Sequence, residues 1–181
     1  MFYVITGGSA SGKSQYAEKL ASSFEDRKHL YYVATMYPYS DGDERDSETE
    51  KRIKRHRDMR ADKGFITIEK YTDIGELTFG GDDVVLLECM SNLLANEMYL
   101  PQGNVNDKTD LQTRIIEPLI GIASQVKALI VVTNEIFSDV GMSEYDESTR
   151  SYIANLGFIN CALAGKADKT IEVCCGIPVG V

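Results

Sequence analysis

Short, nearly continuous apolar runs alternate along this chain with stretches in which apolar residues return every three to four positions. The runs from Phe2 to Thr6, His29 to Thr35, Phe65 to Glu69, Asp83 to Glu88, Val126 to Thr133 and Thr170 to Cys175 read as strands. Tyr16, Ala17, Leu20, Ala21 and Phe24 form a helical stripe, as do Tyr152, Ile153, Leu156, Ile159 and Leu163 in a helix over 148–164. Ser91 to Met98 and Thr109 to Gln125 are helical by period, and Pro118 should bend or interrupt the second. Ser47-Glu48-Thr49-Glu50 is a capping box that starts a polar helix reaching about Arg60. Tyr37 to Asp43 and Pro101 to Lys108 are polar loops. No repeat or linker divides residues 1–181, so a single domain is expected. Strands alternating with helices predict an α/β fold, a mostly parallel central sheet flanked by helices.

In such sheets ligands sit beyond the carboxyl ends of the strands. Glu88, Asn134 and Glu135 fall there. So does Gly7-Gly8-Ser9-Ala10-Ser11-Gly12-Lys13-Ser14, which follows the first strand, opens the first helix and fits G-x-x-x-x-G-K-[ST] at every position. Amides converging at a helix N-terminus bind an anion, and the helix dipole favours negative charge there. Lys13 can reach terminal phosphates, and the Ser14 hydroxyl can hold Mg2+. The chain is therefore read as a P-loop NTPase-type protein that binds a nucleoside triphosphate. Glu88, an acid ending an apolar strand, is placed to hold Mg2+ or a sugar hydroxyl. Asp82 and Asp83 lie at the far end of that strand and read as turn residues.

Composition sharpens this. The net charge of −9 disfavours a nucleic-acid partner. Yet residues 51–63 hold seven bases against two acids, Asp58 and Asp62. That patch fits a polyphosphate site, or else a solvated helix face. No run is long enough to span a membrane, and the first strand starts too early for a signal peptide. Cys89, Cys161, Cys174 and Cys175 lack metal-binding spacing. Cys174 and Cys175 are expected side by side in a strand, as packing residues. The compartment reads as reducing cytoplasm.

On the polar helix, Ile53, His56 and Arg60 share a face. A neutral imidazole is a competent nucleophile toward phosphorus, and Arg52, Arg57 and Arg60 could neutralise a triphosphate. A surface histidine is the alternative. His29, at the edge of a strand, reads as structural.

Several of these elements occur together in one family. Beside the P-loop stand Val33-Ala34-Thr35, Arg52-Ile53-Lys54-Arg55-His56-Arg57, Thr67-Ile68-Glu69, and Leu87-Glu88-Cys89 with Asn92 and Asn96. Val132-Thr133-Asn134-Glu135, Leu156-Gly157 with Asn160, Ala167-Asp168 and Gly176-Ile177-Pro178 complete the set. Over nearly its whole length the chain resembles the bifunctional adenosylcobinamide kinase / adenosylcobinamide-phosphate guanylyltransferase family of cobalamin biosynthesis. The resemblance implies phosphorylation of adenosylcobinamide, then transfer of GMP from GTP to adenosylcobinamide phosphate through a guanylylated histidine. That histidine falls on His56. Contacts to GTP or ATP fall on Gly7 to Ser14, on Ala34, Thr35 and Met36, on Arg57, Asp58, Met59 and Arg60, and on Glu69 and Glu88. The resemblance also implies a homo-oligomer, a trimer. The chain departs from the family at Arg60-Ala61 and at Ile136-Phe137-Ser138-Asp139. Corrinoid contacts are therefore not carried over to the second of these. Two other readings are a plain P-loop small-molecule kinase, which needs no nucleophilic histidine, and a GTP-binding regulatory module. The latter would need a guanine-reading N-K-x-D loop, and Asn134-Glu135 lacks its lysine and aspartate.

Overall fold

Branched and aromatic residues crowd five short segments that become strands, the first four buried on both faces or nearly so and the last buried on one face through Ile171 and Val173. These are β1 (Phe2–Thr6), β2 (Leu30–Ala34), β4 (Val84–Glu88), β5 (Ala128–Val132) and β6 (Lys169–Cys174). With the edge strands β3 (Ile66–Glu69) and β7 (Ile177–Gly180) they form one seven-stranded sheet in the order β3-β2-β4-β5-β1-β6-β7. All neighbours are parallel except β6 and β7. The computed structural model describes residues 1–38, 54, 63–103, 108–138 and 145–180. His56, Arg57, Asp58, Met59 and Arg60, and with them the polar helix expected after Ser47 except the exposed Lys54, lie outside the described residues.

Successive strand residues point to opposite faces. On one face Phe2, Val4, Val85, Leu87, Leu129 and Val131 pack against α2 (Met90–Tyr99), α4 (Glu117–Gln125) and α5 (Glu147–Ala164). On the other, Tyr3, Ile5, Val84, Leu86, Ile130 and Val132 pack against Ala17 and Ala21 of α1 (Lys13–Ser22). The Asp146 carboxylate caps α5 by accepting from the Thr149 amide at 2.7 Å.

The helix expected over 109–125 is broken as Pro118 requires. A short α3 (Lys108–Leu111) passes into a π-helical turn over Gln112–Ile116, and α4 then restarts with Pro118 in its first turn. The Glu117 amide reaches five residues back to the Gln112 carbonyl. Pro118 has no amide to give, and its ring would clash with the carbonyl four residues earlier in a regular helix.

The far end of the molecule is structural, as expected for His29 and Asp83. Buried Asp83 accepts from the Gly80 amide at 2.7 Å and lies 2.8 Å from His29 Nδ1. The expectation for the last two cysteines is corrected. β6 ends at Cys174, and Cys175 and Gly176, with φ of +50° and +80°, form the two-residue turn into β7. Two positive φ values in succession match the twist of a tight hairpin. Both thiols are exposed rather than packed.

Leu86 is fully buried at the centre of the sheet. Leu86→Ala should lower unfolding free energy by about 2–5 kcal/mol, as measured by denaturant titration.

Candidate active site

The loop between β1 and α1 is shaped by close backbone approaches. A Cβ on Gly7, where φ is +155°, would come within 2.5 Å of the Val173 carbonyl oxygen of β6 and 2.6 Å of Ser11 Oγ. Gly12 precedes α1 with φ +91°, and a Cβ there would meet Gly176 Cα at 3.3 Å. The Gly176 amide donates to the Ser11 carbonyl at 2.8 Å, and the Glu135 amide donates to the Gly7 carbonyl at 3.1 Å. The loop is thus pinned by both the β6–β7 turn and the segment after β5. Among the described residues no side chain caps α1, which leaves its first amides for a ligand.

The residues fit a triphosphate. Ser11 Oγ is buried without a hydrogen-bond partner among the described residues, and a Cβ on Gly8 would meet nothing within 4 Å. The Lys13 ammonium folds over the loop and donates to the Gly8 carbonyl at 3.0 Å. They also fit Mg2+, which binds through one or two oxygen ligands of the protein plus substrate phosphates. The Ser14 hydroxyl donates to Glu88 Oε1, so the two proposed ligands already touch.

The strand register lines up the other expected contacts. At the carboxyl ends Ala34 lies beside Glu69 on one side and Glu88 on the other. Glu69 is therefore two strands from Glu88, roughly 10 Å at the usual interstrand spacing, and its carboxylate accepts from the Tyr71 hydroxyl at 2.9 Å. Thr35 and Met36 follow directly. Ser9 and Ala10 form the exposed tip of the loop, Ala10 with φ +55°.

A polar layer behind Glu88 joins Thr35, expected among the nucleotide contacts, to residues to which the sequence assigned no role. The Thr35 hydroxyl donates to the Cys89 carbonyl at 2.8 Å and accepts from the Cys89 amide at 2.7 Å. The Asn96 side-chain amide donates to the carbonyls of Thr35 at 2.7 Å and Tyr71 at 2.9 Å. Ser91 accepts from Asn134 Nδ2 at 2.6 Å, and its carbonyl accepts from the Tyr152 hydroxyl at 3.1 Å. Thr133 donates to Asn160 at 2.7 Å. The available signal was an asparagine on the apolar face of a helix, beside Leu93 and Leu94. Burial pushes the Cys89 thiol up from its ordinary value, and it pushes Tyr152 up to about 12. Cys89 is thus a neutral packing group, not a thiolate nucleophile.

A glycine-rich loop opening a helix at the carboxyl end of a parallel sheet, with an acid touching its last hydroxyl, defines a P-loop NTPase-type nucleotide-binding enzyme. The flagellar accessory protein FlaH from Methanocaldococcus jannaschii shares the fold, with a TM-score of 0.50 at 18% identity, over 94% of this chain and 70% of that one. The family model for cobinamide kinase / cobinamide phosphate guanyltransferase matches residues 3–181. The bifunctional adenosylcobalamin biosynthesis protein CobU of Escherichia coli is 31% identical over 194 residues, spanning 100% of this chain and 99% of that protein. Its namesake from Salmonella typhimurium is 28% identical over 193 residues, with the same coverage. The chain belongs to the cobinamide kinase / cobinamide phosphate guanyltransferase family, and is a transferase of cobalamin biosynthesis that uses nucleoside triphosphates. No helix among the described residues is long and apolar enough to cross a membrane.

The two loop glycines should respond differently to alanine. Gly7→Ala must displace Val173 or Ser11, and should lower the melting temperature and abolish nucleotide binding. Gly8→Ala meets no atom and should melt like wild type. Thermal unfolding with and without GTP checks both.

Proposed function

We propose that the chain phosphorylates the aminopropanol hydroxyl of adenosylcobinamide, and then guanylylates the product through His56. In the first reaction the hydroxyl oxygen takes the terminal phosphoryl of GTP or ATP, and nucleoside diphosphate leaves. In the second, a ring nitrogen of His56 bonds to the α-phosphorus of GTP and pyrophosphate leaves. The phosphate oxygen of adenosylcobinamide phosphate then displaces the histidine, giving adenosylcobinamide-GDP.

The observation that carries this reading is the Ser14–Glu88 contact at the mouth of a P-loop, in a chain matched end to end by the family. Mg2+, held by Ser14 and Glu88, would offset charge on the phosphates. The loop amides from Gly7 to Ser14 and the Lys13 ammonium orient the phosphates and stabilise charge on the transferred group. Ala34, Thr35, Met36 and Glu69 continue the nucleotide site along the strand ends. Arg57 and Arg60, with Asp58 and Met59 between them, stand beside the nucleophile in sequence, and the arginines match a leaving pyrophosphate. The enzyme acts on these small molecules as a cytoplasmic homo-oligomer, a trimer by family resemblance, and requires no nucleic acid.

The two activities should separate by mutation. Lys13→Ala removes a charge-assisted phosphate contact worth roughly 1.5–3 kcal/mol, about one to two decades of affinity by calorimetry. His56→Asn should keep triphosphate binding and part of the kinase activity, yet lose covalent GMP labelling and guanylyl transfer. Mass spectrometry after incubation with GTP reads the adduct. GMP on His29, on a lysine or on no residue would contradict the assignment.

A further inference from the structure

Parallel strands β2 and β4 end together, and one side chain continues their pairing past the last ladder pair, Ala34 beside Glu88. The Thr35 amide donates to the Glu88 carbonyl at 3.1 Å. Its hydroxyl then grips both sides of the next residue, donating to the Cys89 carbonyl and accepting from the Cys89 amide. Three hydrogen bonds from one residue hold the backbone on which the Glu88 side chain is mounted. Thr35 is itself held. Its carbonyl accepts from Asn96 on α2, and the second donor of the same amide group fastens the Tyr71 carbonyl after β3. Thr35 is fully buried and Asn96 nearly so, so little competing water reaches these bonds.

We propose that Thr35 and Asn96 are positioning residues that set the Glu88 carboxylate against the Ser14 hydroxyl and thereby tune how tightly the enzyme holds magnesium-bound nucleotide. This rests on the reading of Glu88 and Ser14 as the metal-holding pair. Thr35 acts on the Glu88–Cys89 backbone directly, and Asn96 acts through Thr35. The clamp spans β2, the segment after β3, β4 and α2. A binding-site acid at the end of a strand would otherwise sit on a freely turning connection.

Calorimetry with a non-hydrolysable GTP analogue tests this, run once with Mg2+ and once with EDTA. The ratio of the two dissociation constants measures the tightening that Mg2+ brings. Thr35→Val keeps the volume and removes the hydroxyl, and Asn96→Ala removes the second link. Each should cut the tightening by about 10-fold, the usual effect of losing a partner behind a metal ligand. Affinity of Asn96→Ala in EDTA should stay within about twofold of wild type, because Asn96 is not among the nucleotide contacts and the P-loop amides and Lys13 are untouched. Thr35→Ser keeps the hydroxyl and should tighten like wild type.

Glu88→Gln separates the two levels. Equal tightening in wild type and Glu88→Gln would overturn the metal reading of Glu88 and the proposal with it. Tightening lost in Glu88→Gln but intact in Thr35→Val and Asn96→Ala would leave that reading standing and overturn the positioning role. So would Thr35→Ser failing as badly as Thr35→Val, or a parallel loss of affinity of Asn96→Ala in EDTA, since either marks a general disturbance. If Thr35→Val does not fold, Asn96→Ala and Thr35→Ser decide the matter.

Discussion

The architecture of the site depends on backbone meeting backbone at the phosphate-binding loop. Gly7 lies so close to the Val173 carbonyl that no Cβ fits, and Gly12 packs against Gly176 at the β6–β7 turn. With the Gly176 amide on the Ser11 carbonyl and the Glu135 amide on the Gly7 carbonyl, the loop is held from two sides. This approach fixes where α1 begins. A left-handed Gly12 starts the helix without a side-chain cap, which leaves its amides for phosphate and brings Ser14 to Glu88.

From that contact outward, the sheet register does the positioning. Parallel strands ending in step place Glu88, Ala34 and Glu69 in one row. The apolar runs that bury these strands stop at the row, and a set of polar side chains lies beyond it. Thr35, Asn96, Ser91, Asn134 and Asn160 satisfy one another and the exposed strand ends. A half-satisfied layer of this kind would be costly, because unpaired polar groups in a dry interior forgo hydrogen bonds available in water. The layer therefore acts as a rigid floor under a charged site. In the proposed mechanism two transfers share that site, because both need a triphosphate held in a known place and only one also needs a covalent carrier.

Much of this was legible in the sequence. The central strands were visible because residues buried on both faces form nearly unbroken apolar runs. Pro118 announced the interruption that became a π-helical turn. The P-loop was visible because its spacing is dictated by the backbone geometry just described. What escaped detection depends on tertiary contact. β7 is short and fully exposed, so it lacks the burial pattern that marks a strand, and Cys175 occupies a turn position usually held by asparagine, aspartate or glycine. Cys174 and Cys175 therefore read as a strand pair. Asn96 was quoted in a motif without a role, since nothing local reveals that its amide bridges two distant carbonyls. His56 and Arg57 to Arg60 rest on family membership and spacing.

The central claim of the proposed function is that this one chain carries out both transfers in sequence. Incubating the wild-type enzyme with adenosylcobinamide, Mg2+ and GTP carrying distinguishable labels on its α- and γ-phosphates tests it most directly, with the corrinoid product analysed by mass spectrometry. The account predicts one corrinoid product carrying both labels, one from each reaction, with pyrophosphate released in the second. A corrinoid that accumulates only the γ-label, with the α-label recovered entirely as GDP, would contradict it and leave a kinase alone.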